Sequence, residues 1–415
     1  MLFGLVLMVN YSIAQNRIIS PYSRFGLGEL QNNNFARPMA MGGVKYALRA
    51  NDMINFYNPA SYSAFDTTTF VFETGILSTF EQLKTTEIHK NYNYTNLNCL
   101  VFGMPLTKWW GFSFGLIPFS STGYNITYTE NNTNFGNVKY IYEGSGGINQ
   151  FYLGSAFHIK NLSLGFNASY LFGTISKIRQ MYFPDSISKY YGTNFLNTLQ
   201  LRDFLINYGL QYTYKINKEK HIGIGIVFGN STNIKATQND LIRNFEGLPE
   251  QYYFMDTIAN TSVKGNVKFP LKIGGGLSYE SLNKLLIAGD FEFQQWSKYS
   301  VFGVNDSLKD IISTSFGAQF TPQKYSSLSY YKRMTYRIGI RYSESYLELK
   351  NTQLDEFGVS FGFGFPLRKS KSTINLSIEL GKKGTTNNQL IQENFGKITL
   401  GFSIFERWFI KSRLD

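Results

Sequence analysis

Late in the chain, apolar and polar residues alternate with a strict period of two. Phe357, Val359, Phe361, Phe363 and Phe365 share one parity, with Gly358, Ser360, Gly362 and Gly364 on the other. Ile374, Leu376, Ile378 and Leu380 stand opposite Asn375, Ser377 and Glu379, and Ile398, Leu400, Phe402 and Ile404 opposite Thr399, Gly401 and Ser403. Successive strand residues point to opposite faces, so each run lays one apolar face against something oily. The same signal recurs from residue 68 onward and predicts fourteen strands. They lie near 68–80, 95–105, 109–122, 147–159, 161–176, 197–216, 221–235, 266–280, 284–297, 312–321, 333–346, 354–366, 371–382 and 395–405.

A soluble sandwich of two sheets alternates in the same way, and the connections separate the two readings. Tight turns fall near 105–108, 160–161, 217–220, 281–283 and 367–370. Longer, polar, Asn-rich connections fall at 81–94, 123–146, 177–196, 236–265 and 298–311, with 321–332 breaking the rhythm. Short turns on one side and long loops on the other mark a bacterial outer-membrane barrel. An even strand count also returns both ends to the short-turn, periplasmic side. The expected fold is therefore all-β, a 14-stranded antiparallel transmembrane β-barrel spanning residues 68–415. Trp109 and Trp110, Tyr330 and Tyr331, and Trp408 and Phe409 fall at strand ends, where an interfacial girdle belongs.

Composition narrows the class. Of 415 residues, 17% are aromatic and only 16% charged, too apolar for a disordered chain. No stretch of eighteen apolar residues occurs, which excludes transmembrane helices but not strands. Forty Lys and Arg against 28 Asp and Glu give +12, yet the basic residues scatter through turns and loops. That spread argues against a nucleic-acid stripe and suits contact with anionic headgroups. Residues 1–14 read as the apolar core of a signal peptide ending in small residues, without the usual basic start. A buried N-terminal strand is the alternative. Cys99 is the sole cysteine and reads as a packing residue.

Residues 15–67 carry no alternation, are rich in Asn, Gly and small residues, and hold too little apolar content to fold alone. A segment packed inside a barrel has this character. Within it, Asn58, Pro59 and Ala60 form a turn: Pro59 fixes its own φ, and Asn58 is placed to bond the backbone just beyond. Met39 to Asp52 has room for a short helix. The Ala-rich lead-in, Asp52, and Tyr57 through Ala60 ahead of a barrel resemble the FadL/TodX family of outer-membrane transporters for hydrophobic compounds. The resemblance implies that residues 15–67 form a hatch inside the barrel. It also implies passive uptake of fatty-acid-like or aromatic molecules, and a kinked third strand that opens a lateral exit.

Pro118 interrupts the third predicted strand beside Ile117 and Phe119. Proline gives the ladder no N–H, so Pro118 either opens a local gap in the wall or simply ends pairing above the oily band. Asp290, Glu292, Lys272, Arg337, Arg341 and Glu379 all fall on polar parity and are expected in the lumen. There they either satisfy one another and hold the hatch, or guide substrate. His89, His158 and His221 lie apart, with no Ser and acid arranged beside any of them, so no enzyme is expected. No metal-ligand spacing occurs and no cofactor is implied. The expected partners are outer-membrane lipid and a hydrophobic small molecule, with no nucleic acid. The alternative function is a non-transporting barrel subunit of an outer-membrane protein secretion or assembly complex, with outer-membrane protein partners docked on its loops.

Overall fold

The computed structural model describes residues 18–31, 35–186, 190–248, 251–326, 329–368 and 370–408. The expected signal segment 1–14 and Phe409 lie outside these residues. The fourteen barrel strands are β1 (Thr69–Lys84), β2 (His89–Pro105), β3 (Trp110–Ser121, continued by Tyr124–Asn132), β4 (Gly136–Ile159), β5 (Leu162–Tyr182) and β6 (Gly192–Lys215). Then come β7 (Lys220–Gly229, continued by Thr232–Leu248), β8 (Gln251–Phe269, continued by Lys272–Ser281) and β9 (Leu285–Gln294). The last are β10 (Ile311–Phe320), β11 (Thr335–Ser343), β12 (Glu356–Pro366), β13 (Thr373–Lys383) and β14 (Gln392–Arg407). Each pairs antiparallel with the next, and β14 pairs with β1 from Thr69↔Arg407 to Lys84↔Gln392, closing a 14-stranded barrel.

Burial runs opposite to that of a soluble protein. Ile76, Leu116, Phe166, Ile226, Phe291, Ile338, Phe361 and Ile398 are exposed outward. Glu73, Gln150, Asn167, Gln211, Arg337, Ser360 and Glu379 are buried inward. Closure removes the two outer edges that an open sheet would leave unpaired in lipid. Trp109, Tyr330, Tyr331 and Trp408 are exposed at the short-turn end, and Trp408 stacks on Phe70 with centroids 4.5 Å apart.

Four of the five connections expected as loops are largely strand. Residues 123–146 carry the Tyr124–Asn132 hairpin arm, and 236–265 form one long hairpin from Thr232 to Phe269. These extensions have polar residues on both faces, so nothing in their sequence alternates. Their ladders rather than an oily face hold them straight. β4 and β6 each run 24 residues, whereas β9 and β10 run ten. A tilted strand needs about 9–11 residues to cross a bilayer. One side of the barrel therefore stands well above the other.

Residues 18–31 and 35–66 run inside the ring. Asn58 caps a short 3-10 helix at Pro59–Ala64, its side chain accepting from the Ala60 N–H at 3.2 Å. The helix expected between Met39 and Asp52 instead occupies Ala36–Met39. Inward glycines make room for this chain. A Cβ on Gly225 would lie 1.9 Å from the Tyr46 carbonyl oxygen, and one on Gly339 2.1 Å from the Gly42 nitrogen. The polar parity of the strands thus reads partly as clearance for the chain's own beginning.

Candidate functional site: the stoppered lumen and its wall

The interior segment is gripped from both sides. Towards β5 and β6, Asn58 donates to the carbonyls of Tyr46 at 2.7 Å and Leu210 at 3.2 Å. Asn167 donates to the Phe56 carbonyl at 2.8 Å and accepts from the Tyr62 hydroxyl at 3.0 Å. Gln211 donates to the carbonyls of Tyr46 and Leu48, both at 3.0 Å. Arg49, which the sequence did not single out, donates to the Ala60 carbonyl and to Ser63 Oγ, both at 3.1 Å, and so ties the Asn58 turn to the preceding loop.

The opposite grip is ionic. Asp290 accepts from the backbone N–H groups of Lys45 and Tyr46. Glu292 accepts from the Tyr46 hydroxyl and pairs with Lys45 Nζ at 3.2 Å and Lys272 Nζ at 3.4 Å. Three of the six lumen residues, Asp290, Glu292 and Lys272, therefore converge on Lys45 and Tyr46. Arg341 instead bridges Glu379 and Glu356 within the wall. Arg337 donates to Gln319 at 2.8 Å and Asn375 at 2.9 Å. Higher up, Lys383 joins Glu29 at 3.2 Å to Glu393 at 3.3 Å.

The wall is interrupted where Pro118 sits. The β2–β3 ladder runs from Pro105↔Gly111 to Leu100↔Leu116 and stops two residues before Pro118. β3 then turns to the interior chain, pairing Ser120 with Leu30 and Ser121 with Glu29. The Gln31 N–H donates to the Phe119 carbonyl at 2.9 Å. On its other edge β3 stays paired to β4 through Pro118↔Asn149, with a register shift before Ser120. Ile117 is fully buried against the interior segment, and the Phe119 ring reaches Phe269 of β8 at 5.7 Å.

A second interruption was not foreseen. β6 and β7 pair up to Asn207↔Gly229 and resume at Leu201↔Ala236, leaving residues 202–206 and 230–235 without ladder partners across that seam. Pro270 faces this kink on β8, and a proline inside an apparent strand was the signal available. A cavity of ≈110 Å³ lies here, lined by Phe56, Phe119, Leu205, Phe228, Phe269 and Trp296, with Lys272 at its edge. Above it an apolar cover closes the long-loop end. Trp296 stacks on Tyr346 at 5.0 Å, and both pack with Leu27, Ile148, Leu171 and Leu201.

At the short-turn end a wider vestibule of ≈1280 Å³ opens below Arg49 and Asp52. Burial pushes the Asp52 carboxyl up, but the charges of Arg37, 3.2 Å away, and Lys324 outweigh it and hold the group below the ordinary carboxylate range. His158 and His221 line this vestibule. His89 starts β2 at the far end.

The BamG family model matches residues 1–415. The chain belongs to the BamG family. No curated protein matches this BamG-family chain. Among solved structures it is similar to the Pseudomonas putida toluene transporter TodX, at 16% identity and TM-score 0.59, covering 93% of this chain and 100% of that one. It is also similar to the Ralstonia pickettii toluene transporter TbuX, at 13% identity and TM-score 0.57, covering 91% and 99%. A Pseudomonas aeruginosa FadL homologue matches at 10% identity and TM-score 0.57, covering 91% and 98%. At these identities the likeness is one of fold. The BamG-family barrel therefore shares the architecture of the FadL/TodX channels, as its strand count suggested.

Proposed function

We propose that this barrel sits in the bacterial outer membrane and lets small apolar molecules, fatty-acid-like or single-ring aromatic, cross passively. In this reading residues 1–14 are a signal peptide, 15–67 a hatch, and 68–415 the barrel. Ligand enters under the Trp296 cover at the extracellular end. Rearrangement of the hatch around Asn58, Pro59 and Ala60 frees its path, and it leaves sideways past Ile117, Pro118 and Phe119. The observation that carries the reading is the stop in the β2–β3 ladder at Leu100↔Leu116, beside an apolar cavity that Phe119 lines. An oily molecule that exits through such a seam never crosses the polar, charged lower lumen. Toluene uptake into proteoliposomes above that of protein-free vesicles is the expected result; equal uptake across a fatty-acid and monoaromatic series rejects the reading.

A second reading, a subunit of an outer-membrane secretion or assembly complex, is favoured by a different observation. Among the described residues the 124–132 arm pairs with β4 alone and residues 253–265 of β8 with β7 alone, so both present edges without a ladder partner there above the barrel. Tyr253, Met255, Ile258 and Val263 are exposed along the second. Long unprotected edges with apolar residues invite a partner strand. The whole-chain family match, moreover, is to BamG. Purification from native membranes separates the readings: stoichiometric large partners support the second, an isolated barrel the first.

A further inference from the structure

We propose that the vestibule at the short-turn end is a receptor for an acidic, extended polypeptide segment. Among the described residues, nine lysines and arginines line it against three carboxylates, Asp52, Glu280 and Glu406. Arg37 is paired with Asp52 at 3.2 Å, and Lys371 with Asp66 at 2.9 Å. Deeper in, Arg49 and Arg337 donate to neutral oxygens, those of Ala60, Ser63 and Gln211 and those of Gln319 and Asn375. At the rim Lys108, Lys284 and Lys324 lie within 4.0 Å of no carboxylate among the described residues. A concave wall carrying one sign of charge focuses the field into its opening and draws in the opposite sign.

Size and spacing choose the kind of anion. At ≈1280 Å³ the vestibule exceeds the roughly 300–1,000 Å³ of ordinary small-molecule pockets. Lys108 lies in the β2–β3 turn, Lys284 in the β8–β9 turn and Lys324 between β10 and β11. One small anion cannot reach amines set around the ring, whereas a run of carboxylates along an extended chain can meet several at once. This site also gives a location to part of the surplus positive charge that the sequence left scattered. It requires no passage of apolar molecules and so stands apart from the uptake reading.

The test is fluorescence anisotropy of a labelled octaglutamate peptide with the purified full-length barrel in zwitterionic detergent. Binding is expected, and it should weaken as salt rises from about 0.05 to 0.3 M, where the screening length falls below 10 Å. The K108Q/K284Q/K324Q variant should bind about tenfold more weakly, as three modest surface contributions combine. The triple arginine variant should restore binding, which separates charge from misfolding. No peptide binding, or equal binding by the glutamine variant, overturns the proposal. So does binding of inorganic phosphate or phosphatidylglycerol vesicles with none of the peptide.

Discussion

Strands β4–β8 and strands β9–β13 build the two sides of one barrel in different ways. The first group rises far above membrane height and holds the interior chain with neutral donors: Asn167 on β5 and Gln211 on β6. The second barely spans a bilayer and carries most of the inward charges: Asp290 and Glu292 on β9, Arg337 and Arg341 on β11, Glu379 on β13, with Lys272 of β8 reaching Glu292 across the boundary. Its connections fold inward, so that Trp296 and Tyr346 pack on the inner apolar face of the tall side. One side is a wall, and the other supplies an ionic clamp and a cover. The same interior segment is therefore held by two chemistries, which should fail under different conditions.

Removing the cover is expected to have the largest effect. Trp296 is fully buried, and Trp296→Ala should cost about 3–5 kcal/mol of stability, read as a lower temperature for loss of the compact band on SDS gels. It should also open the long-loop mouth to water. Next, Glu292→Ala takes the shared carboxylate from buried Lys45 and half-buried Lys272, and breaking a buried pair costs about 3–5 kcal/mol at the upper end. A loss above 1 kcal/mol in urea unfolding is expected, and Glu292→Gln should recover part of it through the Tyr46 hydrogen bond. Little or no loss would mean that the ionic clamp is not structural.

On the neutral side, Asn58→Ala takes one of two donors from the Tyr46 carbonyl, leaving Gln211, takes a donor from the Leu210 carbonyl and removes the cap of the 3-10 helix, for about 1–3 kcal/mol. That loss should be insensitive to salt, in contrast to Glu292→Ala. Asp52 should show the smallest effect. Its pKa is depressed in the folded protein, so its contribution is complete above the unfolded value of about 3.9 and disappears as pH falls through the lower folded one. Asp52→Asn should therefore cost on the order of 1 kcal/mol or less at pH 7. The gap to the parent should hold down to about pH 4 and close only below it. A gap that closes near pH 6 would contradict the assignment.

The amphipathic half of the architecture was readable from the chain. Alternation such as Phe357 to Phe365 needs one oily and one wet face, and all fourteen membrane crossings have that contrast. The tall extensions lack it: His89 to Thr95 of β2 is wet on both sides, and the Asn content lowers β-propensity further. Lumen parity placed Asp290, Glu292, Lys272, Arg337, Arg341 and Glu379 inward, but parity carries no register. It could not show that Glu292 meets Lys45 while Glu379 meets Arg341. Pro118 marked the third-strand seam; Pro270 marked the second and was absorbed into a strand. Arg49 gave no signal, because its partners are backbone and neutral side chains within the irregular interior segment.

The central claim is that apolar molecules leave beside β3 when the interior segment lets go of it. Leu30 and Ser120 are direct cross-strand partners, at the Cα separation of about 4.5–5.5 Å that a disulfide accepts. The L30C/S120C pair, made with Cys99→Ala, should lock that contact on oxidation. In proteoliposomes, toluene uptake should fall to the protein-free rate when the bridge forms and recover on reduction. Uptake that is the same in both redox states contradicts the account.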